Sequence, residues 1–446
     1  MLTSLFTGVS GLNTNGQALS IVGDNIANSN TVGFKGSRSI FGDVLSQALG
    51  GSSAVQIGRG ASMLRTQALF TQGNFETSNN PLDMAVDGEG FFVVKEPTGG
   101  TFYTRSGQSG LDKDGYIVSP TGLRYQGYLY DANGNFTGSL GDVNVATVNS
   151  NPSASSQVNL EANLDSRESI KATAWSLVAA SGPVSGCYNF NTTMTVYDSQ
   201  GNDHPVSIYY RKTASNTWDA HFVYNNSATS TNYVEIDFDG GTAGTQPLTL
   251  TFDSSGTLTG VDIVDTAPPG IAAPTAPAAK NAVFDFTSWV GGAATQTIAI
   301  SMGYNGINTT QYGSPSTMVF QNQNGWTAGS LRALTISSNG VIGGVFTNGQ
   351  VKNIAQVALS RFVSPEGLTK MGKSLYAQSF DSGQAVIGTP NTSGRGGILP
   401  NTVELSNVDI AEEFVRMIAA QRGFQANARV ITTSDNMLAE VTNIVR

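Results

Sequence analysis

Residues 409–445 read DIAEEFVRMIAAQRGFQANARVITTSDNMLAEVTNIV, and this stretch carries the clearest periodic pattern in the chain. A seven-residue spacing keeps one apolar stripe on one side of a long helix, which is typical of a coiled-coil seam. Ser406 is the expected N-cap, and Asp409 places a carboxylate in the first turn. The sequence therefore predicts a long C-terminal helix that needs a helical partner. The apolar residues at steps of seven are Ile410, Met417, Phe424, Ile431, Leu438 and Val445.

A matching pattern lies at the other end of the chain, where Leu5, Leu12, Leu19 and Ile26 also recur at steps of seven. We therefore predict that residues 1–30 and 405–446 pair as a coiled-coil domain. The expected fold class is multidomain α+β, in which long terminal helices form a coiled-coil stalk and nested, discontinuous β-rich domains are inserted between them. The alternative is a long amphipathic helix that packs on its own domain.

The body of the chain has the composition of a β-rich, turn-rich protein, because only 12% of residues are charged and 52 are glycine. Turn pairs between apolar runs predict hairpins. We assign residues 31–75 and 363–404 to an extended connector, 76–146 and 319–362 to an inner β-domain, and 147–318 to an outer β-domain. The predicted turns lie at 87–90, 114–115, 133–134, 198–201, 239–240, 305–306, 324–325, 339–340 and 348–349.

Charge and apolar content exclude several classes of protein. The net charge of −9 lacks the positive field that tracks phosphates, so nucleic acid is not an expected partner. No apolar run is long enough for a membrane span. No Lys or Arg precedes Lys35, so we expect no cleaved signal peptide. Cys187 is the only cysteine, which excludes internal disulfides.

Signatures of catalysis and metal binding are weak. His204 and His221 lack a nucleophile partner in sequence and are interpreted as structural. Asp131 and the residues after it resemble a calcium loop, but Phe136 stands where the sharp turn needs Gly. Paired carboxylates, as in glycosidases, stay open because their separation is spatial. We predict no enzyme activity, no catalytic residue, no cofactor and no metal site.

Several segments resemble the signature of bacterial flagellar rod and hook proteins. They are NIANSNTVGFK at 25–35, NPLDMAVDGEGFF at 80–92, YTRSG at 103–107, and SNVD at 406–409 leading to AQRGFQANA at 420–428. The motif residues are Asn25, Asn28, Asn30, Gly33, Phe34, Asp87, Gly88, Gly90 and Phe91. Gly423 departs from the bulkier polar residue expected there. The middle of the chain is similar to the hook members of the family.

The resemblance implies a structural polymer outside the cell. Copies of a hook subunit stack into a flexible, curved, hollow tube that joins the rod to the filament and transmits torque as a universal joint. The implied partners are further copies of the chain, the rod, hook cap and hook–filament junction proteins, and the type III export apparatus. The ten apolar residues at steps of seven are the expected assembly interface.

Two other functions stay open at this point. One is a distal rod protein of the flagellar basal body, which is also structural. The other is an extracellular β-rich protein that binds or hydrolyses glycans. A glycan-binding module should cluster aromatic residues on one sheet, whereas the four tryptophans are scattered in sequence at 175, 218, 289 and 326.

We predict that Ile431→Asp abolishes polymerisation while the β-domains stay folded, because a carboxylate in an apolar helix contact must be desolvated. Electron microscopy of the concentrated protein measures polymerisation, and circular dichroism measures folding. Normal tube growth by the variant would contradict the prediction.

Overall fold

The computed structural model describes residues 2–45, 58–131, 134–146, 148–225, 233–236, 247–263, 281–286, 293–294, 296–304 and 307–444. They form two compact units. Unit 1 comprises residues 1–148, 331–346 and 351–446, and unit 2 comprises residues 149–330 and 347–350. Val445, residue 133 and the predicted turns at 239–240 and 305–306 lie outside the described residues.

The described residues contain two α-helices, both in unit 1, and 33 strands. The helices are α1 (Leu2–Ala27) and α2 (Ile410–Ile444). The first strands of unit 1 are β1 (Ser37–Leu45), β2 (Gly58–Ala68), β3 (Phe75–Thr77), β4 (Met84–Asp87), β5 (Phe91–Lys95), β6 (Thr101–Thr104), β7 (Gly110–Leu111), β8 (Ile117–Val118), β9 (Arg124–Tyr130) and β10 (Phe136–Asp142). The strands of unit 2 are β11 (Gln157–Asn163), β12 (Leu177–Val178), β13 (Gly182–Pro183), β14 (Phe190–Tyr197), β15 (Asp203–Ala214), β16 (Thr217–Asn225), β17 (Tyr233–Glu235), β18 (Leu248–Phe252), β19 (Leu258–Ile263), β20 (Asn281–Phe286), β21 (Gln296–Ser301), β22 (Gly303–Tyr304), β23 (Ile307–Asn308) and β24 (Thr317–Gln323). Unit 1 resumes with β25 (Leu331–Ile336), β26 (Val341–Phe346), β27 (Val351–Val357), β28 (Leu359–Arg361), β29 (Thr369–Gly372), β30 (Leu375–Ala377), β31 (Val386–Gly388), β32 (Gly397–Pro400) and β33 (Thr402–Glu404), with a 3₁₀ turn at Pro365–Gly367.

The predicted fold class is wrong. Strand accounts for 45% and helix for 16% of the described residues, and no long coiled-coil stalk with nested domains is present among them. One reason is that α1 packs against strands β1 and β2 as well as against α2. A seven-residue spacing of apolar residues indicates that a helix has an apolar side, but it does not indicate whether a helix or a strand packs against that side. The chain is therefore mainly β.

Strand β5 organises unit 1. It lies in the sheet ordered β25-β26-β27-β9-β5-β6-β30-β29, so both of its edges are paired. Phe91 and Val93 enter one hydrophobic core, whereas Phe92 and Val94 enter another. Successive side chains of a strand point to opposite faces, so an uninterrupted apolar run here reflects burial of both faces.

The two ends of the chain meet in unit 1 through pairs of short antiparallel strands. Strand β3 pairs with β33, β4 with β32, and β5 with β28. Each pair joins a segment from the first hundred residues to one from the last hundred. The end of α1 and the start of α2 are therefore attached to a common β scaffold.

Unit 2 has two main sheets around one core. One is ordered β14-β15-β16-β18-β19, with β17 on β16, and the other β20-β21-β11-β24. Both sheets contribute to the core, for example Trp218 and Leu250 from the first and Leu160 and Ile298 from the second. The alternating burial along β18 fits a strand with one face on this core.

Several predicted turns are confirmed. The hairpins predicted at 339–340 and 348–349 form, because β25 pairs with β26 and β26 with β27. The turn predicted at 87–90 connects β4 to β5, but the hairpin predicted there is wrong, because β4 pairs with β32 and β5 with β6 and β9. Gly340 and Gly349 have φ of 73° and 79°, the left-handed region that favours glycine. The hairpin predicted at 324–325 is wrong, because β24 pairs with β11 and β25 pairs with β26. Neither of the helices in the described part of the chain is apolar enough over a sufficient length to cross a membrane.

Candidate assembly surface

Helices α1 and α2 pack against each other through small residues. A Cβ atom at Gly8 would lie 2.9 Å from Cγ1 of Ile431, and the Ser4 and Ser434 hydroxyls are 3.2 Å apart. Ser434 is buried. Glycine weakens an isolated helix, but its missing side chain lets two helix backbones approach closely. Gly8 of α1 therefore has a packing role.

The closest approach is a reciprocal pair of Gly-x-x-x-Asn sequences. In α1, the side-chain amide of Asn15 donates to the Gly11 carbonyl at 2.7 Å, and in α2 that of Asn427 donates to the Gly423 carbonyl at 2.9 Å. A Cβ at Gly11 would lie 2.5 Å from Oδ1 of Asn427, and one at Gly423 would lie 2.6 Å from Oδ1 of Asn15. Each asparagine thus covers the glycine of the opposite helix. The departure from the family pattern at Gly423 is explained by this contact.

The apolar residues predicted as the assembly interface lie beside this contact. Leu5, Leu12, Leu19 and Ile26 in α1 and Met417, Ile431 and Leu438 in α2 are half-buried. Ile410 and Phe424 are exposed, at 45% and 44%. The buried row of α2 starts one turn later and contains Glu413, Ala420 and Ser434, again at multiples of seven. The buried positions of α2 also recur at steps of seven, but the side chains at the centre of the contact with α1 are small or polar.

Helix α2 also carries exposed apolar side chains on both sides of its buried row. At about 100° per residue, these side chains fall on opposite sides of the contact with α1. A single helix partner therefore leaves much of the apolar surface of α2 in water. On one side are Ile410, Phe414 and Ile418, near the start of α2, and on the other are Val430 and Met437, in its second half.

The start of α2 differs from the sequence-based expectation. Oδ1 of Asp409 accepts hydrogen bonds from the backbone N–H groups of Ala411 and Glu412, at 2.8 and 3.2 Å, so Asp409 is the N-cap. The Ser406 hydroxyl instead accepts from the N–H of Val408 at 3.3 Å. Ser406 shapes the turn before the helix.

The motif at 25–35, which begins in the last turn of α1, attaches the helix to the β scaffold. The buried Asn25 side chain donates to the Ser37 carbonyl at 2.8 Å and accepts from its N–H at 2.9 Å. Asn28 caps the helix end by donating to the Asp24 carbonyl at 2.9 Å. Gly33 has φ of 69°, and its N–H donates to the Glu404 carbonyl at 2.8 Å. A side chain at Gly33 would enter the backbone of Ser106. Asn30 is exposed and Phe34 is half-buried.

Buried charges join two of the motif segments, at Lys35 and Arg105, to Glu404. Lys35 Nζ lies 2.6 Å from Glu404 Oε1, and both side chains are fully buried. Arg105 Nη1 lies 3.5 Å from Glu404 Oε2. Lys35 also donates to the Thr71 carbonyl at 2.6 Å, and the N–H of Gly73 donates to Oε1 of Glu404 at 2.8 Å. Burial lowers the pKa of Lys35 and of Arg105, while the Glu404 carboxylate opposes both shifts. Sequence analysis missed Glu404 because it is far from Lys35 along the chain.

The second motif forms a tight corner at the end of β4. Gly88 and Gly90 have φ of 105° and 137°. Gly88 packs on the Gly396 backbone, and its carbonyl accepts from Arg105 Nη2 at 2.8 Å. Phe91 is buried with its ring edge-to-face to Phe70, at 5.3 Å between centroids. Asp87 is exposed and accepts from Gln72 at 3.2 Å.

The two histidines are held in unit 2 by carboxylates. His204 Nε2 lies 3.0 Å from Oδ2 of Asp198, which also shapes the β14–β15 turn. His221 Nδ1 lies 2.5 Å from Oε1 of Glu235, and Trp175 stacks on its ring at 3.9 Å. In the described part of the chain, acidic, histidine and cysteine side chains form no cluster able to hold a metal ion.

Comparison with known proteins places flagellar sequences along the whole chain. Four family profiles match: the flagella basal body rod protein at residues 5–35, the flagellar hook protein FlgE/F/G D1 domain at 85–167, the flagellar basal body protein FlaE D2 domain at 163–326, and the flagellar basal body rod FlgEFG protein C-terminal at 399–444.

The chain is 32% identical to the flagellar hook protein FlgE of Treponema pallidum, with 100% of both chains covered. It is 30% identical to that of Escherichia coli, with 98% of both covered. The crystal structure of Helicobacter pylori flagellar hook protein FlgE2 has a TM-score of 0.45 and 16% sequence identity, and the match covers 72% of this chain and 98% of that one.

The buried charge cluster predicts a large effect of Lys35→Met. The change leaves the buried Glu404 carboxylate without its shortest ion pair, which costs about 3–5 kcal/mol in other proteins. Hydrogen exchange of residues 84–94 measures the free energy of unfolding of unit 1. The tryptophans lie within residues 149–330, so their fluorescence reports unit 2 as an internal control. Lys113→Met, at an exposed lysine, is the matched variant, and an equal loss in both variants would contradict the role of the cluster.

The reciprocal Gly-x-x-x-Asn contact predicts that Gly11→Val separates α1 from α2. Overpacking at a close contact costs about 1–3 kcal/mol. Gly16→Val is the matched control, since a Cβ at Gly16 meets no atom within 4 Å and the change in helix propensity is the same. Hydrogen exchange of residues 411–440 should rise in the first variant only. Equal exchange in both variants would show that the change in propensity alone determines it.

Proposed function

The chain belongs to the flagellar hook protein family and is a structural subunit of the bacterial flagellar hook, and from this premise we propose that copies of it assemble through the helix pair α1–α2. The assembly is a hollow tube in which the terminal helices of neighbouring copies line the inside. It joins the rod to the filament and transmits torque while it bends. The subunits contribute contacts and shape, and no catalytic step is part of the function.

One observation carries this proposal. The exposed apolar residues of α2 lie on one side of its contact with α1 near the start of the helix and on the other side in its second half, so the helix pair offers apolar surface to more than one neighbour. Exposed apolar side chains grouped in this way mark a protein contact. Helices from two neighbouring copies fit such a surface because apolar rows at helical spacing pack into each other's grooves. The nine predicted interface residues that the structure describes then belong to contacts both within and between copies.

The polar contact inside the pair supports the same proposal. The two helices approach closely at Gly11 and Gly423 without large apolar side chains between them. The side-chain amide of each Asn donates its hydrogen bond to a carbonyl of its own helix. The larger apolar side chains are left for contacts with neighbours. Many such contacts, each weak, give a stiff wall when they repeat along a tube.

Location and export follow from the same assignment. The hook lies outside the cell, and we propose that the flagellar type III apparatus exports the chain without a cleaved signal peptide. The rod, the hook cap and the hook–filament junction proteins are the proposed partners at the two ends of the tube.

The test is polymerisation of full-length Ile418→Glu. Ile418 is half exposed, so the charge leaves the monomer folded but must be desolvated in a contact between copies. Negative-stain electron microscopy and sedimentation in a salt that favours burial measure tube growth. We expect tubes from the unchanged chain and none from the variant.

The matched control is Val351→Glu, a similar change at an exposed apolar residue in strand β27. It should polymerise like the unchanged chain. Tube growth by Ile418→Glu at the unchanged critical concentration would overturn the proposed role of the helix pair.

A further inference from the structure

The most exposed apolar side chains among the described residues are neighbours in unit 1. Phe380 is 100% exposed and Val363 is 90% exposed. They lie on adjacent segments, because the N–H of Ser364 donates to the Ser382 carbonyl and Gly383 lies against Val363. Leaving a Phe or Val side chain in water forgoes about 1.5–3 kcal/mol relative to burial. We call Val363 and residues 379–383 the Phe380 tip.

The backbone of the Phe380 tip is held firmly although its apolar side chains are not. The Ser379 hydroxyl donates to the Gly367 carbonyl at 2.6 Å. The Ser382 hydroxyl is fully buried and donates to the Ser379 carbonyl at 3.0 Å. A Cβ at Gly367 would lie 2.5 Å from the Asp381 carbonyl carbon, so the two segments are in close contact. The tip presents a ring on a preorganised loop, which reduces the entropy lost on binding.

A matching recess lies elsewhere in unit 1. It has a volume of about 820 Å³ and lies between α1 and the β1–β2 hairpin, lined by Phe6, Ser10, Val44, Arg59, Ala61 and Met63 among others. This volume is in the range of pockets that bury small drug-sized molecules, so it can take an aromatic ring with its flanking residues. Because Phe380 is fully exposed, the ring does not fill the recess of its own chain. We call this cavity the α1 recess.

The two surfaces also match in charge. Asp381 follows Phe380 and is exposed, while Arg59 lies at the wall of the α1 recess and is exposed. An opposite charge beside an apolar anchor fixes the orientation of the contact.

We propose that the Phe380 tip of one copy inserts into the α1 recess of a neighbouring copy, with Asp381 facing Arg59. A contact between two different surfaces of the same chain is heterologous, and it repeats along a helix when the rotation does not close. The proposal rests on the proposed assembly of copies and adds a second contact to the one made by the helix pair. It also accounts for a solvent-exposed aromatic ring on a rigid loop.

The first test measures the critical concentration for tube growth of Phe380→Ser. The side chain makes no buried contact in the monomer, so the thermal unfolding of the monomer should not change. Loss of an aromatic anchor should raise the critical concentration roughly tenfold or more. Val351→Ser, which also removes an exposed apolar side chain, should leave it unchanged. Equal critical concentrations for Phe380→Ser and the unchanged chain would overturn the proposed contact.

The second test identifies the surface that receives the tip. Phe380→Cys and Met63→Cys chains are mixed, polymerised and oxidised, and disulfide-linked pairs are measured on a non-reducing gel. Pairs should form in the mixture and not in either variant alone. Charge reversal by Asp381→Arg and by Arg59→Asp should each weaken tubes, and the double variant should restore them, whereas Lys113→Glu should have no effect.

The outcomes separate the two proposals. If the unchanged chain forms no tubes, the proposed assembly fails and this contact fails with it. If tubes form but the mixture gives no linked pairs and charge reversal has no effect, only the insertion of the tip into the α1 recess is overturned.

Discussion

The rest of unit 1 depends on the buried ion pairs and hydrogen bonds of the Glu404 carboxylate. Glu404 lies just before α2, and its partners come from the segment after α1, from the residues before β3, and from the end of β6. A buried carboxylate is costly unless every partner is in place, so these segments must come together as a set. These contacts of Glu404 fix where α1 ends and where α2 begins on the β scaffold. Asn407 adds to this, because its side chain accepts from the N–H of Gly36 at 2.8 Å and donates to the Leu69 carbonyl at 2.8 Å.

The helix pair illustrates a division of labour among side chains. Small and polar residues make the contact within the chain, and apolar residues flank it. A pair built on large apolar residues would be satisfied within one chain and would leave little surface for neighbours. The contact through Gly11 and Gly423 is close and is made by small and polar groups, so the exposed apolar residues beside it gain most from further copies. In a hook subunit, most of the favourable free energy of apolar burial is then gained in contacts between copies.

Local sequence predicted the features that depend on local chemistry. The turn pairs at 339–340 and 348–349 formed hairpins because Asn and Gly adopt turn conformations at low cost. The turn at 87–90 also formed, but the strands on either side of it pair with other strands. The apolar runs between them became strands. The start of α2 was placed correctly to within a few residues, although Asp409 and not Ser406 caps it. The family motifs were found because they are contiguous.

The features that failed depend on which segments meet. The seven-residue period identified both helices, but not the row that makes the contact, because period does not distinguish a covered side from an exposed one. The α+β stalk was therefore predicted where the chain is mainly β. Trp175, His221 and Glu235 come from three separate segments and contact one another in unit 2, and no local sequence pattern predicts this contact.

The sequence by itself determined the two terminal helices, the β-rich body, several turns and the family, since spacing, turn chemistry and contiguous motifs are properties of neighbouring residues. Only the tertiary structure decided that Lys35 pairs with Glu404, that Asn427 covers Gly11, and that Phe380 stays in water. These contacts join residues far apart in the chain. Their energies come from burial and close packing, which exist only once the segments have been brought together.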